Sequence, residues 1–128
     1  MTNQELLNLS NLLNSWKGCD ENKINYCIEK NRVKIESALN KVKKEAQTMP
    51  LNIEYTNKKK ELQLEIQKYA DEQYKKLDLK YKKLFDKLKE IDNQENEDFV
   101  PYTILYDLIP EKFPAESMKV VYPFIKTE

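Results

Sequence analysis

Apolar residues recur at alternating spacings of four and three along two long stretches of this chain, and that pattern commits most of it to helix. In the first stretch the seam is Ile24, Ile28, Asn31, Ile35, Ala38 and Val42, with Leu39 and Ala46 beside it. In the second it is Ile66, Ala70, Tyr74, Leu77, Tyr81, Leu84, Leu88 and Ile91. A helix rises about 1.5 Å per residue, so the two predict rods of roughly 40 and 50 Å. The first should run from a cap at Asp20 to about Thr48, because the residue before Pro50 resists the helical region. The second should run from about Lys58 to Asp92. Asp71–Lys75, Glu72–Lys76 and Asp78–Lys82 place the acid four residues ahead of the base, each pair worth about 0.2–0.5 kcal/mol. Between the rods, Leu51, Ile53 and Tyr55 alternate, so residues 51–57 read as an extended piece or a loop.

A shorter helix is expected ahead of these, over about residues 3–16. Thr2 and Glu5 form a capping box, and Leu6, Leu9, Leu13 and Trp16 follow at helical spacing, widened by Leu7 and Leu12. Gly18, the one glycine of the chain, is the natural left-handed cap.

After residue 92 the character changes. Residues 93–98 are a polar linker. In residues 99–125, 16 of 27 positions are apolar or aromatic, while Pro101, Pro110, Pro114 and Pro123 forbid a long helix. Phe99 to Leu105 reads as extended, and Pro114 suits the start of a short helix. Such a segment is too short for a core of its own and must pack on the helices, on a second copy or on a partner. The expectation is a mainly α protein, a single domain over 1–128 with a helical part at 1–92 and an apolar packing segment at 99–128. It has three helices, the last two forming a long antiparallel coiled-coil-like hairpin.

Composition removes most chemistry. The chain has no His, one Gly and one Arg, Arg32. His-based acid–base catalysis, a glycine-rich phosphate loop and a cluster of bidentate phosphate clamps all lack their residues. The carboxylates lie on solvated helical faces, where no pocket would shift them for catalysis. Cys19 and Cys27 without His make neither a zinc site nor an activated nucleophile. Cys27, beside Ile28, reads as a small buried hydrophobe. No enzyme, cofactor or metal is expected.

Basic and acidic residues number 22 each, and acids interleave with the lysines of the second rod, so nucleic-acid binding through Lys58-Lys59-Lys60 ranks low. No run approaches the roughly 20 apolar residues that span a bilayer, and the first residues carry no signal-peptide pattern. A cytoplasmic protein with reduced thiols is expected, with a place in a virion as the alternative.

Two polar features stand out. Tyr69, Tyr74 and Tyr81 lie on or beside the second seam, their rings buried and their hydroxyls wet, or else forming a partner surface. Asn31 sits in the middle of the first seam, where a polar group needs a partner. It fixes register against the third helix or a second copy, or it hydrogen-bonds the C-terminal segment.

Leu9-x-x-Leu12-Leu13-Asn14, the stretch Tyr26-Cys27-Ile28-Glu29-Lys30-Asn31-Arg32-Val33-Lys34-Ile35-Glu36, and the closing Leu108-Ile109-Pro110, Met118 and Pro123-Phe124-Ile125 form a pattern. It resembles a family of short uncharacterised proteins encoded in phages and prophages of low-G+C Gram-positive bacteria. They share a first helix, a Lys-Asn pair in the second and a Pro-containing closing segment. Residues 49–92 lie outside the resemblance, which implies a phage context and brings no catalytic residues. The abundance of Lys and Asn agrees with A+T-rich codons.

The functional expectation is therefore a small non-enzymatic phage or prophage protein acting by protein–protein contact, as an assembly factor or an inhibitor of a host protein. Phe99, Tyr102, Ile104, Tyr106, Phe113 and Phe124 would complete the core and offer the docking surface. Self-association of the seams into a structural component is the alternative.

Overall fold

The computed structural model describes residues 1–65 and 70–126. It is mainly helical, with six α-helices among the described residues. They divide into two compact units, Met1–Asn40 with Glu95–Glu128, and Lys41–Gln94.

In the first unit, α1 spans Asn3–Asn14 and begins with the expected capping box. The Glu5 amide donates to the Thr2 hydroxyl at 3.1 Å, and the Thr2 amide donates to the Glu5 carboxylate at 3.0 Å. Leu6, Leu9 and Leu13 are buried. The helix ends at Ser15, three residues before Gly18. Gly18 does take a left-handed conformation, φ +89°, but it turns the loop rather than capping α1. Asn25 organises that loop: its side-chain oxygen accepts from the Cys19 amide at 3.0 Å and the Trp16 indole at 3.2 Å. Its amide nitrogen donates to the Cys19 carbonyl at 2.7 Å.

Helix α2 spans Asn22–Gln47. Glu21, not Asp20, meets its first turn: the Glu21 carboxylate accepts from the Lys23 amide at 3.3 Å. Ile24, Ile28, Asn31, Ile35 and Ala38 of the seam are all buried, and Cys27 joins them. Arg32 donates to the Leu13 carbonyl at 3.2 Å and pairs with Glu29 at 3.2 Å, so the single arginine serves the carbonyl end of α1.

The C-terminal segment closes this core in cis. Strand β1, Ile104–Leu105, pairs in parallel with β2, Ile125–Lys126, with Ile104 opposite Ile125. Parallel neighbours need a long crossover, and α6, Ala115–Val121, supplies it, with Pro114 at its N-cap. Short 3₁₀ turns flank it at Tyr106–Leu108 and Tyr122–Phe124. Ile104, Val120, Val121 and Phe124 pack with the buried residues of α1 and α2. The polar linker is anchored too: the Asn96 amide donates to the Met1 carbonyl at 2.7 Å and its side chain to Asn3 at 2.8 Å.

The second unit departs from expectation. Residues 51–57 are neither extended nor loop but part of α3, Pro50–Glu65. Pro50 ends what precedes it, yet it also suits the first helical position, where its missing N–H costs nothing. The single helix expected over 58–92 is α3 together with α4, Ala70–Lys80, and α5, Lys82–Asn93. Tyr81, at φ −105° and ψ 26°, separates α4 from α5. The three-helix count is thereby corrected to six, and the hairpin of this unit pairs α3 with α4 instead of α2 with one long rod.

Tyrosines hold that pairing. The Tyr55 hydroxyl donates to Asp78 at 2.7 Å, and Tyr81 donates to Glu54 at 2.8 Å. The Tyr55 ring meets Tyr81 and Phe85 edge-on, centroids 5.6 and 5.2 Å away. Tyr81 and Leu84 are buried, while Tyr74, Leu77, Leu88 and Ile91 are half-buried. The expectations for Ile66 and Tyr69, and for the Ala70 side chain, fall outside the described residues. Among the described residues, no helix is long and apolar enough to cross a membrane.

Candidate protein-binding surface

Asn31 lies fully buried on α2, and its side-chain amide works as a two-point clamp on the extended C-terminal segment. The Tyr102 amide donates to the Asn31 oxygen at 2.8 Å, and the Asn31 nitrogen donates to the Tyr102 carbonyl at 2.8 Å. The second hydrogen of that nitrogen goes to the Cys27 carbonyl at 2.9 Å, the i−4 group of its own helix. The polar seam position thus pairs with the C-terminal segment of its own chain. The Cys27 thiol completes the arrangement, donating to the Tyr102 carbonyl at 3.6 Å. Burial pushes that thiol up to about 11, against the opposing hydrogen bond from Asn31, so it stays protonated and unreactive at neutral pH.

Further contacts fix the same stretch. Lys34 donates to the Val100 carbonyl at 2.8 Å. The Asn96 side-chain oxygen accepts from the Asp98 and Phe99 amides at 3.0 and 3.1 Å. Lys30 stands 4.5 Å from the Tyr102 ring centroid, and Tyr26 meets that ring edge-on at 5.7 Å. Residues 96–102 are therefore held by Asn96, Lys34 and Asn31 in turn.

The six residues expected to dock a partner separate by burial. Ile104 and Phe124 are core residues, 6% and 0% exposed, so they complete the core as expected. Phe99, Tyr102 and Phe113 are half-buried against that core, Phe113 beside Trp16 at a centroid distance of 6.4 Å. Tyr106 alone is exposed, at 57%. Sequence reasoning missed Val100, Leu105 and Tyr122, which are exposed on the same segment. Alternation could have found Leu105, since it neighbours the buried Ile104 in β1 and so faces the other way.

No protein-family model, curated protein or solved structure matches this chain.

Proposed function

We propose that this chain is a small non-enzymatic phage or prophage protein that acts by protein–protein contact, as an assembly factor or an inhibitor of a host protein, through its C-terminal segment. The observation that carries this reading is the exposure of Val100, Leu105, Tyr106 and Tyr122 on a segment whose backbone is clamped from residue 96 to residue 102. Large apolar and aromatic side chains on a pre-ordered backbone bind with little loss of freedom, and tyrosine is enriched at such contacts. The abundance of Lys and Asn, residues that A+T-rich codons encode, supports the phage context. Deleting residues 99–128 would not test the idea, because Ile104, Val120, Val121 and Phe124 belong to the core. The test is Tyr106→Ser with Tyr122→Ser in the tagged full chain, captured from lysate of its bacterial host. A protein recovered in near-equal amount with wild type and lost with the variant, at unchanged melting temperature, supports the reading. Equal recovery with both, or none with either, removes it.

A second reading, a self-associating structural component, draws on the other unit, where Ile53 of α3 is 49% exposed, Leu64 of α3 88% and Leu79 of α4 75%. Sedimentation equilibrium over a hundredfold concentration range tests it: one unchanging monomer mass ends it.

A further inference from the structure

Helix α4 ends at Lys80 and α5 begins at Lys82, with Tyr81 between them at φ −105° and ψ 26°. Nothing in the local sequence asks for a break there. Leu77 to Phe85 holds no Gly, Pro or Ser, and the apolar seam keeps its four-three spacing through Tyr74, Leu77, Tyr81, Leu84, Leu88 and Ile91. Helix interruptions trace to Pro, to Gly or Ser, to a π-bulge, or to a group that intrudes from outside. The backbone here tightens instead of bulging: the Leu84 amide donates to the Tyr81 carbonyl, three residues back, at 2.9 Å. That leaves a contact from outside as the cause.

The contact comes from α3, through two neighbouring residues. Glu54 accepts from the Tyr81 hydroxyl at 2.8 Å. The Tyr55 ring stands edge-on to both Tyr81 and Phe85, the residues on either side of the break, at 5.6 and 5.2 Å. Its hydroxyl donates to Asp78 at 2.7 Å, in the last turn of α4. Asp78 has a different partner within its own helix, because Lys82 lies four residues on with the acid first. The same residues therefore support two arrangements: a broken helix with Asp78 turned to Tyr55, and a continuous one with Asp78 beside Lys82.

We propose that the break at Tyr81 is a conformational device worked by α3. With Tyr55 seated against Tyr81 and Phe85 the element is broken; when Tyr55 leaves, residues 70–93 run as one helix. Segments of 11 and 12 residues then join through Tyr81 into a rod of about 36 Å. Any agent that engages Tyr55 or Glu54 shifts this equilibrium by as much as it prefers one form over the other. The device lies wholly within the Lys41–Gln94 unit and stands apart from the contact reading.

The test is Glu54→Ala with Tyr55→Ala in the ¹⁵N,¹³C-labelled full chain. Both changes lie on α3, where Ala keeps helix propensity, so a response at Tyr81 has crossed from one helix to the other. The Lys82 amide opens α5, and a helix leaves its first amides without a partner of its own. In a continuous helix that amide donates to the Asp78 carbonyl. Its hydrogen exchange should slow at least about tenfold in the variant, and the Tyr81 Cα chemical shift should move into the helical range. Tyr55→Phe keeps the ring and loses only the hydroxyl, so it should keep wild-type values for both.

Wild-type exchange at Lys82 with an unmoved Tyr81 shift in the double variant assigns the break to the local sequence and overturns the proposal. Loss of protection along α4 and α5 together overturns it as well, since neither helix then stands without α3. The amides of Leu77 and Leu88, inside α4 and α5, distinguish that outcome from the first. Straightening already in Tyr55→Phe transfers the break to the Asp78 hydrogen bond and overturns the role given to the ring.

Discussion

Replacing Asn31 by Leu keeps the branched shape and the number of heavy atoms at the seam position and removes its polar function. Four hydrogen bonds disappear, three at 2.8, 2.8 and 2.9 Å and a weaker one from the Asn31 nitrogen to the Cys27 thiol at 3.4 Å. Their loss is unequal. The Cys27 carbonyl belongs to a continuous helix and loses only an extra donor. The Tyr102 carbonyl keeps the Cys27 thiol at 3.6 Å, a weak donor. The Tyr102 amide loses its acceptor, and an orphaned buried group costs about 1–3 kcal/mol. Adding a part-loss at the carbonyl and subtracting the apolar gain of a buried Leu leaves about 2 kcal/mol net. At about 4–8 °C per kcal/mol for a unit of this size, the melting temperature should fall by roughly 10 °C or more.

Trp16 is the only tryptophan and lies in the first unit, so its fluorescence reports unfolding of that unit alone. Hydrogen exchange at Tyr102 gives the local readout: its amide should exchange at least about tenfold faster in Asn31→Leu than global destabilisation explains. Asn31→Asp is the sharper control. A carboxylate still accepts from the Tyr102 amide but cannot donate to its carbonyl, and it buries a charge, so this variant should lose more stability than Leu does. A melting temperature for Asn31→Leu within about 2 °C of wild type, with unchanged exchange at Tyr102, would refute the clamp as a source of stability.

Other outcomes follow from the same structure. In the native protein a thiol reagent should label half-buried Cys19 quickly and Cys27 only on unfolding, as mass spectrometry of digested protein can show. The folded state holds the Cys27 proton more tightly than the unfolded chain, about 11 against 9.0, so the associated stability is whole below pH 9 and is lost as pH climbs toward 11; urea unfolding followed by Trp16 should shift to lower midpoints across that window. Gly18→Ala meets no close atom, the nearest being the Asn25 oxygen at 3.8 Å, so its cost should be the left-handed backbone alone, about 1–2 kcal/mol by the same assay.

What was legible in the sequence was what local pattern decides. The capping box of Thr2 and Glu5 and the leucines behind it define α1 within one turn of helix. The four-three seam of α2 identifies its buried face down to Ala38, including the one polar position on it. Pro50 misled because it carries two opposite meanings, a stop for the helix before it and a permissible first residue for the helix after it. The α3–α4 pairing depends on Tyr55 reaching Asp78 and Tyr81 reaching Glu54, contacts 23 and 27 residues apart that no local signal announces. The partner of Asn31 was equally remote, 71 residues along the chain. The sequence says that a buried amide needs a partner; which of the alternatives supplies it is a property of the packed unit. The roles of the six C-terminal residues were not separable for a related reason. Apolar composition marks the segment as important without saying which face turns inward, so Ile104 and Phe124 looked equivalent to Tyr106.

The clamp resolves that ambiguity physically. Apolar packing is tolerant of small slips, and an extended segment that slides by one residue exchanges its inward and outward side chains. Asn31 offers one donor and one acceptor that match the carbonyl and amide of a single residue, Tyr102. With Tyr102 held there, Ile104 enters the core and Leu105 faces out, which is the observed burial. A slip that put Pro101 at the clamp would leave the Asn31 oxygen without an N–H to accept from and bring Thr103 toward the core in place of Ile104. The buried amide therefore ties the segment to α2 at one residue and works against the Pro101 register, a use akin to that of a polar seam residue in coiled coils, here turned on the chain's own C-terminal segment. The contact reading depends on that register, which decides that Val100, Leu105 and Tyr106 are outside.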